Sequence, residues 1–427
     1  MDGPNSTLAV NWDRRNWDIA DWYETMMPHS LMKFSFPQGV AAGLYINRRG
    51  VQTRTEYRDV FVPGTKVYKP EEMGEKNVAS NGIYHYIDDI VHYGRETQLV
   101  VLDERLRFDA STLSPDFMNS GARGHYTLSN IENGKYGTWD NTQNHNNKRT
   151  CLGFKGDFVK NFEYSWYQNH MHVRPRTLSF WAYQGDEVTI KGTGDITFKL
   201  PAVPAGTYEL RIGTCTGFAS NGIRQFLLDG EVINESVDFR LKGTASGIGW
   251  VSDADISNNI RKKFKDIDIS DDFRDYLYNE LTEEERMEEL SWIAEQAGTT
   301  ISYLEELFSL YETERSERLK ALEELDINQA INAHDKTMRK NGWMKGPASY
   351  YPANSENGGT KSGSSFRNLP NILRCVIGTF TTDGQTDHYV TIKTLEPLSQ
   401  NTEFNLDYIE LCPKTVYNNE FYPEDKW

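Results

Sequence analysis

Strand-forming sequence occurs in two blocks of this chain, separated by a long stretch of different character, and that split constrains the fold more than any other feature. In the first block, Ile196, Phe198 and Leu200 alternate with Thr197 and Lys199, and Tyr208, Leu210 and Ile212 alternate with Glu209 and Arg211. A period of two places one side of each strand in a core. Residues 201–206 between them, with two prolines, cannot continue a ladder. The run Phe226-Leu227-Leu228-Asp229-Gly230-Glu231-Val232-Ile233 follows; its Asp-Gly pair between apolar runs reads as a hairpin, because glycine takes a positive φ cheaply. The second block comprises 374–380, 388–395 and 404–411, and in the last of these the apolar parity switches from Phe404 and Leu406 to Ile409 and Leu411. Such a switch means either a β-bulge or a change of face. Neither block alone has enough strands to bury both faces of a sandwich, so 185–240 and 370–413 are expected to form one antiparallel β-sandwich together.

The stretch between the blocks, about 258–340, reads as helix. Thr282-Glu283-Glu284-Glu285 is a capping-box pattern, Leu290, Ile293 and Ala297 keep helical spacing, and Gly298 is a stop. A second helix is expected from Tyr303 to about Leu325, carrying Leu304, Leu307, Phe308, Tyr311, Leu319, Leu322 and Leu325. From 270 to 326 there are 18 Asp/Glu against 5 Lys/Arg, a difference of −13 within a chain of net charge −16. The segment is expected to be an acidic helical insertion with a solvated face, or else a partner-docking surface.

Upstream, residues 17–26 place Ile19, Trp22, Tyr23 and Met26 at helical spacing after a candidate N-cap, Asp18, which predicts an amphipathic helix. In Asn81-Gly82-Ile83-Tyr84-His85-Tyr86-Ile87-Asp88, Ile83, His85 and Ile87 fall on one strand face and Tyr84 and Tyr86 on the other, which predicts a strand inside a sheet. Residues 99–180 show short apolar runs between turn-rich stretches such as 141–147 and read as a β-rich connector.

The acidic balance, 46 Lys+Arg against 62 Asp+Glu, argues against nucleic acid as a partner, since phosphate tracking needs clustered cations. With a mean hydropathy of −0.65 and no long uninterrupted apolar run, no membrane-spanning segment is expected. Cys151, Cys215, Cys375 and Cys412 have no metal-ligand spacing; they read as buried thiols, with two disulfides as the alternative in an oxidising compartment. The first residues carry neither a basic nor an apolar region, so no export signal is expected within this chain.

Chemistry-bearing motifs are sparse. There is no G-x-S-x-G, no P-loop and no H-E-x-x-H, so no catalytic residue is assigned. His170-Met171-His172 puts two imidazoles on one strand face without a third ligand at a fixed spacing. The paired carboxylates Glu283–Glu285 and Glu288–Glu289 lie on a helix expected to be exposed, and so read as solvated charge. The surplus is in aromatics, 10 Trp and 23 Tyr. Trp250, Trp343, Tyr350 and Tyr351 fall in apparent loops, where a ring can stack on the apolar face of a pyranose; Asn221 is the candidate polar partner, and the competing role for each ring is packing under its loop.

Two resemblances bear on fold and function. The run 81–88 resembles the second signature motif of the fasciclin-like adhesion domain, over about 15–98, although the Thr-Val-Phe-Ala-Pro-Thr-type opening motif of that domain is absent. Gly185-Asp186-Glu187, 194–201, 204–211, Leu228-Asp229-Gly230, Trp343-Met344-Lys345-Gly346-Pro347 and Phe404–Pro413 resemble the C-terminal region of fasciclin-domain lipoproteins of gut Gram-negative bacteria, where a galactose-binding-like jelly roll of the carbohydrate-binding-module type is expected. The implied fold is α+β and multidomain: a partial fasciclin-like domain at 1–98, the β-rich connector at 99–180, and a jelly roll at 181–427 interrupted by the helical insertion. The resemblance implies cell-surface, outer-membrane attachment, for which an upstream portion would be missing from this chain, and leaves open a structural calcium in the jelly roll; no other cofactor is expected. A non-catalytic glycan-binding or adhesive role is expected first. An accessory lipoprotein docking to an outer-membrane nutrient-uptake complex is the alternative, and a glycan-active enzyme the third.

Overall fold

The computed structural model describes residues 19–36, 43–49, 61–69, 72, 78–80, 82–115, 117, 150–151, 158–161, 170–174, 187–347, 366–395 and 402–418. Helices and antiparallel sheets both contribute, an α+β architecture.

The chain opens with a four-stranded antiparallel sheet, β1 (Ile19–Glu24), β2 (Leu31–Phe36), β3 (Leu44–Ile46) and β4 (Thr65–Val67), paired in sequence order. The helix expected over 17–26 is thus a strand from Ile19 onward. Its six residues pair with β2 from Ile19↔Phe36 to Glu24↔Leu31, and that ladder overrides a local helical spacing. The strand expected around 83–87 is also corrected. β5 (Val78–Ala79) and β6 (Gly82–Ile83) form only a two-residue ladder, and Tyr84, Tyr86 and Ile87 beyond it are exposed.

The sandwich begins earlier than the sequence suggests. β7 (Leu106–Asp109), β8 (Thr150–Cys151), β9 (Val159–Lys160) and β10 (His170–Arg174) all lie in the range read as a connector, yet each joins a sheet with later strands. Those are β11 (Glu187–Lys191), β12 (Ile196–Lys199), β13 (Gly206–Cys215), β14 (Ile223–Leu228), β15 (Glu231–Val232), β16 (Val237–Asp238), β17 (Trp343–Lys345), β18 (Ile372–Thr382), β19 (Tyr389–Thr394), β20 (Glu403–Leu406) and β21 (Tyr408–Pro413). Three antiparallel sheets result, in the orders β17-β18-β13-β21-β7, β15-β14-β19-β12-β9 with β16 on β14, and β20-β11-β10-β8.

The two sequence blocks interleave, with β13 between β18 and β21, β12 beside β19, and β11 beside β20. All three sheets feed one apolar cluster, which includes Met171, Phe198, Leu210, Phe226, Ile377 and Ile409. The same cluster takes in Trp22 and Leu31, so no core boundary falls at 98 or at 180 among the described residues. The hairpin at Asp229-Gly230 forms with positive φ at both residues, 52° and 91°. The parity switch near 407 is a change of sheet: β20 pairs with β11, and one residue later β21 pairs with β13 and β7.

Residues 253–340 form the helical module: α1 (Asp253–Lys265), α2 (Asp271–Asp275), α3 (Glu283–Ala297), α4 (Ile301–Phe308) and α5 (Glu312–Lys340). Thr282 and Glu285 make the capping box, and Gly298 ends α3 at φ 62°. The single helix expected from Tyr303 is broken at 309–311 and then runs on to Lys340. Arg315, fully buried, donates to the carbonyls of Leu310 at the break and of Ile269, both at 2.8 Å, and pairs with Asp271. Phe264, Leu277, Leu290, Ile293, Leu304, Leu307, Phe308 and Leu319 give the module a core of its own. Where it returns to the sandwich, Met338 enters the main cluster, and buried Lys345 and Arg367 hold Asp253 and Asp335 from the two ends of the module.

The five-stranded sheet is apolar toward the core and charged on its other side. There Glu410, fully buried, accepts from Arg107 Nε at 2.9 Å, Arg211 Nη1 at 2.6 Å and Arg374 Nη1 at 2.9 Å. Glu209 accepts from Arg211 Nε at 2.6 Å and from Arg339 Nε of α5 at 2.8 Å, which locks the helix to the sheet. On this side Tyr408 lies across Gly213, where an added Cβ would sit 2.2 Å from its ring. Gly213→Ala is therefore expected to cost at least the ~1–3 kcal/mol typical of overpacking, read as a fall in the urea midpoint.

Candidate functional site

A cleft of about 370 Å³ lies at the seam where the N-terminal sheet meets the sandwich. β1 supplies Trp22, Tyr23 and Glu24; β7 supplies Phe108; and Phe158, Lys199, Leu200 and Pro201 come from around β9 and β12. Alternation along β1 turns Trp22 inward, where it is 9% exposed with its ring centroid 6.4 Å from that of Phe108. Tyr23 packs edge-on to Phe34 at 5.7 Å. The exposed Glu24 fixes the seam from its rim, since its Oε1 accepts from the Ala202 N–H at 3.0 Å.

One polar atom in this wall is unsatisfied. The indole N–H of Trp22 is buried and has no hydrogen-bond partner, a state that costs roughly 1–3 kcal/mol. Lys199 is the cation of the lining: its Nζ sits 2.9 Å from Asp387 Oδ1 and 5.5 Å from the Phe158 ring centroid. Burial works to lower its pKa, but Asp387 and Glu24 outweigh burial and hold it above the ordinary lysine value. Among the described residues Glu24 is the one carboxylate of the lining.

Of the residues selected from sequence, three are described. Trp343 is a β17 residue only 4% exposed, its ring 5.5 Å from Phe239 in the core, rather than a loop ring. Asn221 is 1% exposed and donates from Nδ2 to the carbonyls of Cys215 at 2.7 Å and Phe239 at 3.3 Å, a loop-bracing role. Trp250 packs against the main core and donates from Nε1 to Arg367 O at 3.2 Å. Tyr350 and Tyr351 lie outside the described residues. Trp250 and Trp343 thus take the packing role that competed with stacking, and Asn221, the candidate polar partner, braces a loop; a ring under a loop and a ring over one leave the same trace in sequence.

The cleft residues were missed for a different reason. Trp22 and Tyr23 were read as one face of a helix, whereas on a strand they point to opposite sides; only the pairing of β1 with β2 reveals this.

Cys375 is a buried free thiol, so the four cysteines do not form two disulfides. Among the described residues no group of three or more His, Cys, Asp or Glu is placed to hold a metal ion, and no helix is long and apolar enough to cross a membrane. No protein-family model matches the chain, and no curated protein matches it.

Proposed function

We propose that this is a non-catalytic cell-surface protein that binds glycan in the cleft between its N-terminal sheet and its sandwich. The observation that carries the reading is the wall of that cleft: the rings of Trp22, Tyr23, Phe108 and Phe158, with Glu24 and Lys199 as polar groups beside them. Rings take the apolar face of a sugar, and polar groups at fixed positions take its hydroxyls. The fasciclin-like half, the jelly-roll topology and outer-membrane attachment belong to the same proposal and rest on the resemblances in the sequence.

Glycan-array screening followed by calorimetry tests it. Trp22→Phe reduces the ring surface that the wall presents, so it is expected to weaken binding about fivefold to tenfold. Tyr23→Ala is expected to weaken it further. Full affinity in both variants would place the ligand elsewhere.

The accessory-subunit reading is favoured by one observation: on α3, Trp292 is 46% exposed, between exposed Glu288 and Glu295. An array with no glycan signal, together with crosslinking of an outer-membrane protein that Trp292→Ala abolishes, would make docking the function.

A further inference from the structure

We infer that the cleft selects uncharged glycans and discriminates against uronic, sialylated and sulfated ones; this rests on the glycan-binding reading above. Three charged groups carry the inference. Glu24 stands at the rim, and its contact with the Ala202 N–H orients the carboxylate without neutralising it. Lys199, the cation an acidic sugar would seek, is already paired with Asp387 at 2.9 Å and is only 17% exposed. Two carboxylates therefore act on one ammonium, Glu24 within the lining and Asp387 outside it, and the chain's net charge of −16 adds repulsion of the same sign.

An anionic ligand would have to separate Lys199 from Asp387 or bring its own charge beside Glu24. Either route leaves a like-charge contact in a partly desolvated site. A hydroxyl, a ring oxygen or an acetamido group meets the same lining without charge. His29, whose Nδ1 lies 3.8 Å from Asp387 Oδ1, and Tyr389 are further titratable neighbours of this pair.

The test uses the full chain at pH 8 and pairs of oligosaccharides that share a backbone and differ in charge, such as a galactan and a galacturonan, or an asialo glycan and its sialylated form. Neutral members are expected to bind at least tenfold more tightly at low salt, with the gap narrowing as added salt screens the repulsion. Glu24→Gln is expected to reduce the ratio of neutral to acidic affinity severalfold, whatever it does to neutral affinity. Equal or tighter binding of the acidic members at low salt would overturn the selectivity while leaving glycan binding intact, and so would a ratio that Glu24→Gln does not move. A blank for both members of every pair would overturn the glycan-binding reading itself, and this inference with it.

Discussion

Glu410→Gln is expected to lower the unfolding free energy by about 3–5 kcal/mol, the cost of removing one partner from a buried ion cluster. The side chain is fully buried, and Arg107, Arg211 and Arg374 all donate to it from three different strands. Glutamine preserves the shape but leaves the three guanidiniums without their shared charge. Burial alone would raise the pKa of Glu410; Arg374, Arg107 and Arg211 outweigh it and hold the carboxyl well below the usual range. Because folding depresses this pKa, the stabilisation is complete above the ordinary value of 4.5 and is lost as pH falls through the folded value. Urea unfolding across pH 7 to 3 should therefore show the wild type losing stability below pH 4.5 more steeply than Glu410→Gln. Two parallel curves would mean that Glu410 is not the group being titrated.

The second large effect concerns how the helical module is fastened. Its core is separate from that of the sandwich, so replacing residues 260–332 with a short Gly/Ser linker is expected to leave cooperative unfolding of the sandwich intact. That excision keeps Asp253, Asp335 and Met338. Adding Asp253→Asn and Asp335→Asn is expected to cost a further ~3 kcal/mol or more, since Lys345 and Arg367, 0% and 4% exposed, lose the carboxylates that hold them. Loss of cooperativity in the first excision would show instead that the helices complete the sandwich.

The pH dependence isolates the clamp in the full chain. Burial opposes the charge of Asp253, yet Arg367 and Lys345 hold its pKa at about 2 against an ordinary 3.8. Its contribution, about 2–3 kcal/mol by linkage, is present above pH 3.8 and disappears as pH falls toward 2. Asp253→Asn should remove that part of the acid transition and leave the rest.

Features that depend on neighbouring residues were legible before any coordinates. The hairpin at Asp229-Gly230, the capping box at Thr282–Glu285 and the Gly298 stop all form as their local chemistry requires. The alternation of β12 and β13 forms as well, and the parity switch near 407 proved to be a crossing between sheets. The candidate site was not legible. Trp343 and Asn221 have the composition of a binding loop and the burial of a core.

What the sequence alone determined is a pair of strand blocks that must share a sandwich and an acidic helical stretch between them, because periodicity and capping are properties of consecutive residues. The tertiary structure alone decided that 19–24 is a strand, that strands from 106 onward belong to the sandwich, and that Trp22, Tyr23, Phe158 and Lys199 meet in one cleft. Each of these depends on which distant segment supplies the hydrogen-bond partner or the facing wall. The buried charges follow the same logic, since Arg107 and Glu410 are 303 residues apart in the chain and become partners only when β7 is laid beside β21.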